Sequence, residues 1–543
     1  MGASNPTRLP EQSEGVLTWG RTAIESGALF ALLHFALGLR IYWDPRNIHD
    51  EGLSTYGYSR LLGDVFADGF FFLKVRPALA LAYFLPARLG LDFFLITHLA
   101  VGSIAVLVLA RVARAMGQRR PWIPALCLAL SPLYLWCDAT GISNSSGVAV
   151  AILVLYALEV RKLPFVGGFL LGILPFVRVE AAAFAAVLAP YLIHRDRDPR
   201  FVLGLVIWPL AYLGAGALHH ADPLWFVRRA PDVTRLDPVI EAQVIQGFAT
   251  HGFNSAFGAM LAVSPALPLL VFTRPRRLLG VERVLLAFTA VYLLIFFAAH
   301  VGGDALGPLL SVGYTSRNLL LVAAAVPLLF GRVTERWSPQ SPAVLRLGLL
   351  AIIALIGAGP VLAAPGMDGE GYSVAALRRA RLQEMTESLA RVGDAARRHE
   401  VYTNSHAFGQ YLARTNALPG VRVRYMVPAD ISSALNATTD PDDGQRERLL
   451  ESLPRAVFGP IVLPRDLSPE HVPDGTLFLT IEDPRTSVIL PAARWSPYLH
   501  PLPHAPGVEL AIFCRSERGA ASVRGERALG PAFECPSERS ELP

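Results

Sequence analysis

The chain has 543 residues, of which 52% are hydrophobic and only 17% charged, with a mean hydropathy of +0.40. That is too apolar for a string of water-soluble domains and excludes an ordinary soluble enzyme. The net charge of +5 and pI near 9.1 do not point to nucleic acid, because the basic residues cluster at the ends of apolar runs, where they set membrane orientation.

The polar first 15 residues lead into an apolar segment long enough to stay in a membrane, so no cleavable signal peptide is expected. Apolar runs near the spanning length of about 20 residues then fall near 24–43, 91–111, 121–137, 143–160, 163–178, 180–194, 200–218, 253–273, 283–301, 318–331 and 343–364. The expected fold is therefore a polytopic α-helical membrane protein of about eleven helices over 1–365. Basic clusters follow alternate spans: Arg111, Arg114, Arg119 and Arg120; Arg161 and Lys162; Arg195, Arg197 and Arg200; Arg274, Arg276, Arg277 and Arg283; Arg332 and Arg336. All then fall on one side, which the positive-inside rule makes cytoplasmic. The segment 77–90 is the test of this count. It is short and carries Pro86 and Arg88, so it is read as a shallow helix within the first outer loop, 44–90.

Residues 366–543 have ordinary charge density and alternate helix-like and strand-like runs, with strands near 401–404, 421–427, 477–481 and 508–513, which predicts a soluble α/β domain. After an odd number of crossings this domain lies outside the cell, where Cys514 and Cys535 would be able to pair. The last residues, from about Gly519, form a polar tail.

Chemistry-bearing residues gather at the expected outer face. Asp50 and Glu51 follow the first span as adjacent carboxylates, a pair that solvation alone explains unless something excludes water from them. The run after them supplies that something: Tyr56, Tyr58, Phe66, Phe70, Phe71 and Phe72, then Lys74, Arg76 and Pro77, suited to the headgroup layer. Repulsion between neighbouring carboxylates favours one of them as a general base towards a hydroxyl. Arg178-Val179-Glu180 makes a polar corner between two apolar runs, a functional candidate by its depth. Asp138 ends an outward helix and is a second acid candidate; His300 flanks Gly302-Gly303, and Arg317 precedes a late span. Gly141 to Gly147 only superficially resembles a nucleophile loop and is read as a small-residue helix start. His219-His220-Ala221-Asp222 has metal-binding residue types, but no second cluster completes a site, so no metal ligands are assigned. There is no GxxxxGKS/T, GxGxxG, HExxH or CxxC.

The order of first span, His49-Asp50-Glu51 loop, Lys74-Val75-Arg76-Pro77, Arg178-Val179-Glu180 and Arg317 resembles the GT-C superfamily of integral-membrane glycosyltransferases, nearest to its protein O-mannosyltransferase and aminoarabinose-transferase branch. The resemblance covers 1–365 in architecture and short motifs in residues; Arg76-Pro77 stands where the family has Pro-Pro, and Leu53 to Tyr58 where it has Tyr-Tyr. It implies a transferase in the cell's inner (plasma) membrane, with a sugar on a polyprenyl phosphate as donor and a lipid, glycan or protein as acceptor. It implies Asp50 as base and Glu51 as its supporting acid, with Lys74, Arg76, Asp138, Arg178, Glu180, His300 and Arg317 around the substrates. No cofactor follows, and a divalent metal is left open. The rival classes are a transporter or lipid flippase, which would want polar residues near the bilayer midplane and paired halves, and a non-catalytic scaffold.

Overall fold

The computed structural model describes residues 27–43, 50–63, 66–71, 76–226, 266–273, 278–301 and 316–335, a few single positions around 260–275 and at 386, and six strands between 400 and 515; at 50, 51, 54, 61, 68, 69, 296–301 and 316–318, and throughout the strands except at 401 and 402, it describes the backbone but not the side chain. The helical part opens with α1 (Ala28–Trp43), α2 (Asp50–Leu61), α3 (Phe66–Phe70), α4 (Pro77–Ala82) and α5 (Phe84–Leu89). It continues through α6 (Leu91–Ala115), α7 (Trp122–Ala129), α8 (Pro132–Ala139) and α9 (Ser143–Leu155), the last extended by a π turn over Tyr156–Val160. Then come α10 (Pro164–Val177), a 3₁₀ turn at Val179–Ala181, α11 (Ala182–Asp196), α12 (Pro199–His219), α13 (Gly280–Val301), a 3₁₀ segment Ser316–Ala324 and α14 (Val326–Glu335).

Among the described residues, Leu91–Ala115, Ser143–Val160 and Pro199–His219 are each long and apolar enough to cross a membrane, and α7 with α8 makes a fourth if taken as one span. That pair departs from the straight helix expected over 121–137. It bends by 61° at Leu130-Ser131, because Pro132 cannot donate to the carbonyl ladder while Ser131 caps the second helix through Tyr134 N–H. The late run 318–331 likewise divides, into a 3₁₀ segment and α14. The acids at 50 and 51 open a helix rather than lying in a loop. Segment 77–90 forms two six-residue helices, each about 9 Å long at 1.5 Å per residue, too short to cross. The runs 343–364 and most of 253–273 lie outside the described residues.

Glycines let the helices approach. On α10 and α12 a Cβ at Gly168 would fall on the Phe201 carbonyl, one at Gly172 on the Leu205 carbonyl and one at Gly204 on the Phe165 carbonyl. Without a hydrophobic force between helices in lipid, such small-residue contacts are how spans associate. Helix α12 turns Leu203, Leu210 and Leu213 outward, a face that only lipid leaves unpenalised.

The bundle has two chemically different ends. At one, Arg332 pairs with Glu282 (2.6 Å) and donates to the Gly117 carbonyl (3.2 Å), and Arg195 pairs with Glu159 (2.6 Å), which also takes Lys162 (3.5 Å). The Asp196 carboxylate beside it, with Glu159, raises Arg195 above its ordinary value. At the other end lie Tyr42, donating to Asp92 (2.8 Å), and the loop joining α8 to α9.

In the C-terminal region, β1 (Glu400–Thr403), β2 (Arg422–Met426), β3 (Ile461–Val462), β4 (Leu477–Ile481), β5 (Leu499–Pro501) and β6 (Leu510–Arg515) form one sheet in the order β3-β2-β1-β4-β6-β5. Its first four strands are parallel, and β6 runs antiparallel to β4 and β5. The expected helices between them, and Cys535 as the partner of Cys514, lie outside the described residues.

Candidate active site

The site is built on the start of α9. Helix α10 ends because Pro175 weakens its ladder and Arg178 turns extended (φ −149°, ψ 126°), which throws the Arg178 side chain back across the bundle. Its Nε donates to Glu180 Oε1 (2.7 Å) and a terminal nitrogen donates to Ser143 Oγ (3.0 Å). Asn144 Nδ2 donates to the same Glu180 oxygen (3.1 Å). Arg178 is only 8% exposed, so this charge is held by its neighbours rather than by water.

A second guanidinium arrives from the other side, since Arg76 also donates to Ser143 Oγ. Arg76 stands in the left-handed region (φ 55°, ψ 75°) directly before Pro77. That conformation disfavours a residue with a Cβ by about 1–2 kcal/mol, and a following proline restricts it further. Two positive charges and one carboxylate thus meet around one hydroxyl at a helix N-terminus, a setting that favours an anion.

The acids lie beside them in the chain's path. Gly52, in the first turn of α2, packs so closely that a Cβ there would strike the Thr140 carbonyl, and its Cα lies 3.6 Å from where a Cβ on Gly141 would be. The backbone bearing Asp50 and Glu51 therefore starts against the turn that presents Ser143; their side chains are outside the description. Lys74 lies outside the described residues altogether, while His300 lies in the last turn of α13 and Arg317 in the first turn of the 3₁₀ segment, in both cases as backbone alone.

Asp138 does not join this cluster. It is 1% exposed and points inward between His34 and His98. The aromatic run behaves differently from a free belt as well: Tyr56 is buried against Phe94, Phe70 meets Tyr212 of α12 edge-on (5.4 Å, 77°) and Phe71 lies tilted against it (5.6 Å, 35°). Phe71 also lies over His219 (5.0 Å, 28°), and no group of metal-binding residues occurs among the described residues.

Ser143 and Asn144 were not singled out by the sequence, because a Ser-Asn-Ser-Ser run at a helix start reads as ordinary capping chemistry. His34 and His98 carried a visible signal, an imidazole inside an apolar run, which nothing in the local sequence connected to Asp138.

No protein-family model matches the chain, and no curated protein matches it. Among solved structures it is similar to ArnT from Cupriavidus metallidurans in the apo state, with a TM-score of 0.47 and 15% identity over 89% of this chain and 97% of that one. It is similar to the same protein bound to undecaprenyl phosphate with a TM-score of 0.47 and 14% identity over the same shares.

Proposed function

We propose that this chain is a membrane glycosyltransferase that moves a sugar from a polyprenyl-phosphate donor to an acceptor at the outer face of the cytoplasmic membrane. The observation that carries the reading is the meeting of Arg76 and Arg178 on Ser143, at the bundle end opposite the Arg195 and Arg332 clusters, beside the start of the helix that bears Asp50.

In this reading the donor phosphate replaces Ser143 as the shared partner of the two guanidinium groups, whose planar forks suit phosphate oxygens. Glu180 fixes the Arg178 plane, and the α9 N-terminus adds its amide dipoles. Lys74 and Arg317 are further cations for the carrier, His300 a hydrogen-bonding group near it and Glu51 a support for Asp50. Asp50 takes the proton of the acceptor hydroxyl or amine as the acceptor atom attacks the sugar carbon. The bond from that carbon to the phosphate oxygen breaks, and its electron pair leaves with the polyprenyl phosphate. A single displacement of this kind inverts the sugar carbon.

A transporter would need polar groups facing a passage. Among the described residues, the buried His34, His98 and Asp138 face one another instead. The decisive experiment is Asp50→Asn in membranes supplied with a labelled lipid-linked sugar. Loss of a general base lowers transfer by about 10²–10⁴-fold in a protein that stays folded; full activity would remove Asp50 from the role, and sugar-independent carrier translocation would favour the flippase.

A further inference from the structure

Polar side chains sealed among apolar helices cost several kcal/mol, on the order of 1–3 in proteins, unless every donor meets an acceptor. Five of them form one run here: Tyr83, Ser146, His98, Asp138 and His34, none more than 4% exposed. Asp138 occupies space that Gly102 leaves open, since a Cβ at 102 would overlap its carboxylate. His34 Nε2 lies 3.2 Å from Oδ2, and His98 Nδ1 lies 3.3 Å from Oδ1 and 3.0 Å from the Asp138 carbonyl. His98 Nε2 is 3.0 Å from Ser146 Oγ, itself 3.3 Å from the Tyr83 hydroxyl.

Carbonyls and carboxylates accept, so the proton facing Asp138 is on His98 Nδ1, and Nε2 of a neutral ring accepts from Ser146. Ser146 in turn accepts from Tyr83. The donors run one way, from Tyr83 through Ser146 and His98 to Asp138. At the far side His34 Nδ1 lies 3.0 Å from the Ala129 carbonyl, so the run is anchored on both flanks.

Its outer end reaches the candidate site. Tyr83 belongs to the same short α4–α5 segment as Arg76, and Ser146 stands one helical turn beyond Ser143 on α9. Two rungs therefore tie that segment to α9: Arg76 to Ser143 at the mouth, Tyr83 to Ser146 beneath it. Arg76 needs such support, because a left-handed backbone at a non-glycine residue persists only where its surroundings over-determine it.

We infer that Asp138 is a positioning residue for Arg76, acting through His98, Ser146 and Tyr83. Its backbone carbonyl (3.0 Å) and carboxylate (3.3 Å) together fix which way His98 donates, His98 fixes the Ser146 hydroxyl, and that hydroxyl holds Tyr83 and the segment that begins at Arg76. The binding arm of the test rests on Arg76 as a phosphate ligand; the second arm does not.

The full-length protein in detergent is titrated with farnesyl phosphate and, as a phosphate-free control, farnesol, following tryptophan fluorescence. Hydrogen exchange is read separately on peptides covering 77–89. Y83F, S146A and D138N weaken farnesyl phosphate about three- to tenfold, the loss expected from one hydrogen bond, leave farnesol binding unchanged and speed exchange at 77–89; S146T restores both. Wild-type binding and exchange in these variants would overturn the inference. So would a loss that includes farnesol and is not restored by S146T, which marks general damage to the fold. Should the wild-type protein bind farnesyl phosphate no better than farnesol, the phosphate reading fails and exchange decides alone: faster exchange in Y83F and D138N upholds the positioning role, unchanged exchange overturns it.

Discussion

Gly102→Ala is the sharpest probe of the buried carboxylate. The added methyl group would overlap Cγ and both oxygens of Asp138, and the carboxylate has nowhere to retreat without parting from His34 (3.2 Å) and His98 (3.3 Å). Overpacking a filled site costs about 1–3 kcal/mol, and leaving buried donors without their acceptor costs about 1–3 kcal/mol more, so destabilisation of about 2–6 kcal/mol is expected. Gly38→Ala is the matched control on α1, because its Cβ would meet only the tip of the Leu99 side chain, which is able to rotate away. Both changes gain the same helix propensity, about 1 kcal/mol, so the comparison isolates the neighbour. Cys127 and Cys137 are buried thiols, and in a C514S/C535S background their labelling by a fluorogenic maleimide during a thermal ramp reports unfolding. At roughly 2 °C per kcal/mol for a large chain, G102A lowers the midpoint by about 4–12 °C and G38A by much less. In a D138A background the same alanine fills vacated space, so its cost falls by about 2 kcal/mol. Equal costs in the presence and absence of the Asp138 carboxylate would refute the reasoning.

Three further outcomes follow from the geometry. Gly52→Ala forces α2 off the Thr140 carbonyl and is expected to cut transfer at least about tenfold, on the order of 1.4 kcal/mol, with little change in the labelling midpoint; normal transfer would detach α2 from the site. Arg178→Lys puts a single ammonium where the guanidinium serves both Glu180 and Ser143, so farnesyl phosphate binding weakens about tenfold, and unchanged binding would exclude Arg178 as a phosphate ligand. Gly168→Leu drives a side chain into the Phe201 carbonyl, which as backbone cannot rotate aside, and lowers the midpoint by more than Gly214→Leu, where a Cβ meets nothing within 4 Å; equal effects would refute the glycine contact.

Local rules made most of the helical framework legible. The runs at 24–43, 143–160, 163–178, 180–194 and 200–218 return as helices within a few residues, since their apolar length and flanking charges are properties of adjacent residues. The break at 121–137 was written in Pro132 and Ser131, yet composition across that run stays uniformly apolar, and hydropathy averages over a bend. The polar corner at Arg178 was visible by the same logic, as two charged residues, Arg178 and Glu180, that no apolar helix would carry without cause.

The rest depends on distance in the sequence. Asp138 at a helix end looks solvated when only Trp136 and Cys137 are considered; what buries it is the missing side chain of Gly102 and two imidazoles from helices about 100 and 40 positions earlier. Ser143 looks like a helix cap until guanidinium groups 67 and 35 positions away converge on it. Both cases follow one physical rule: a polar group inside an apolar bundle is stable only where remote chain segments complete its hydrogen bonds. An acid or hydroxyl in such a sequence therefore predicts a partner without naming it. A glycine one turn from an imidazole on the same helix, as Gly102 stands to His98, is the local mark that the partner brings a side chain needing room.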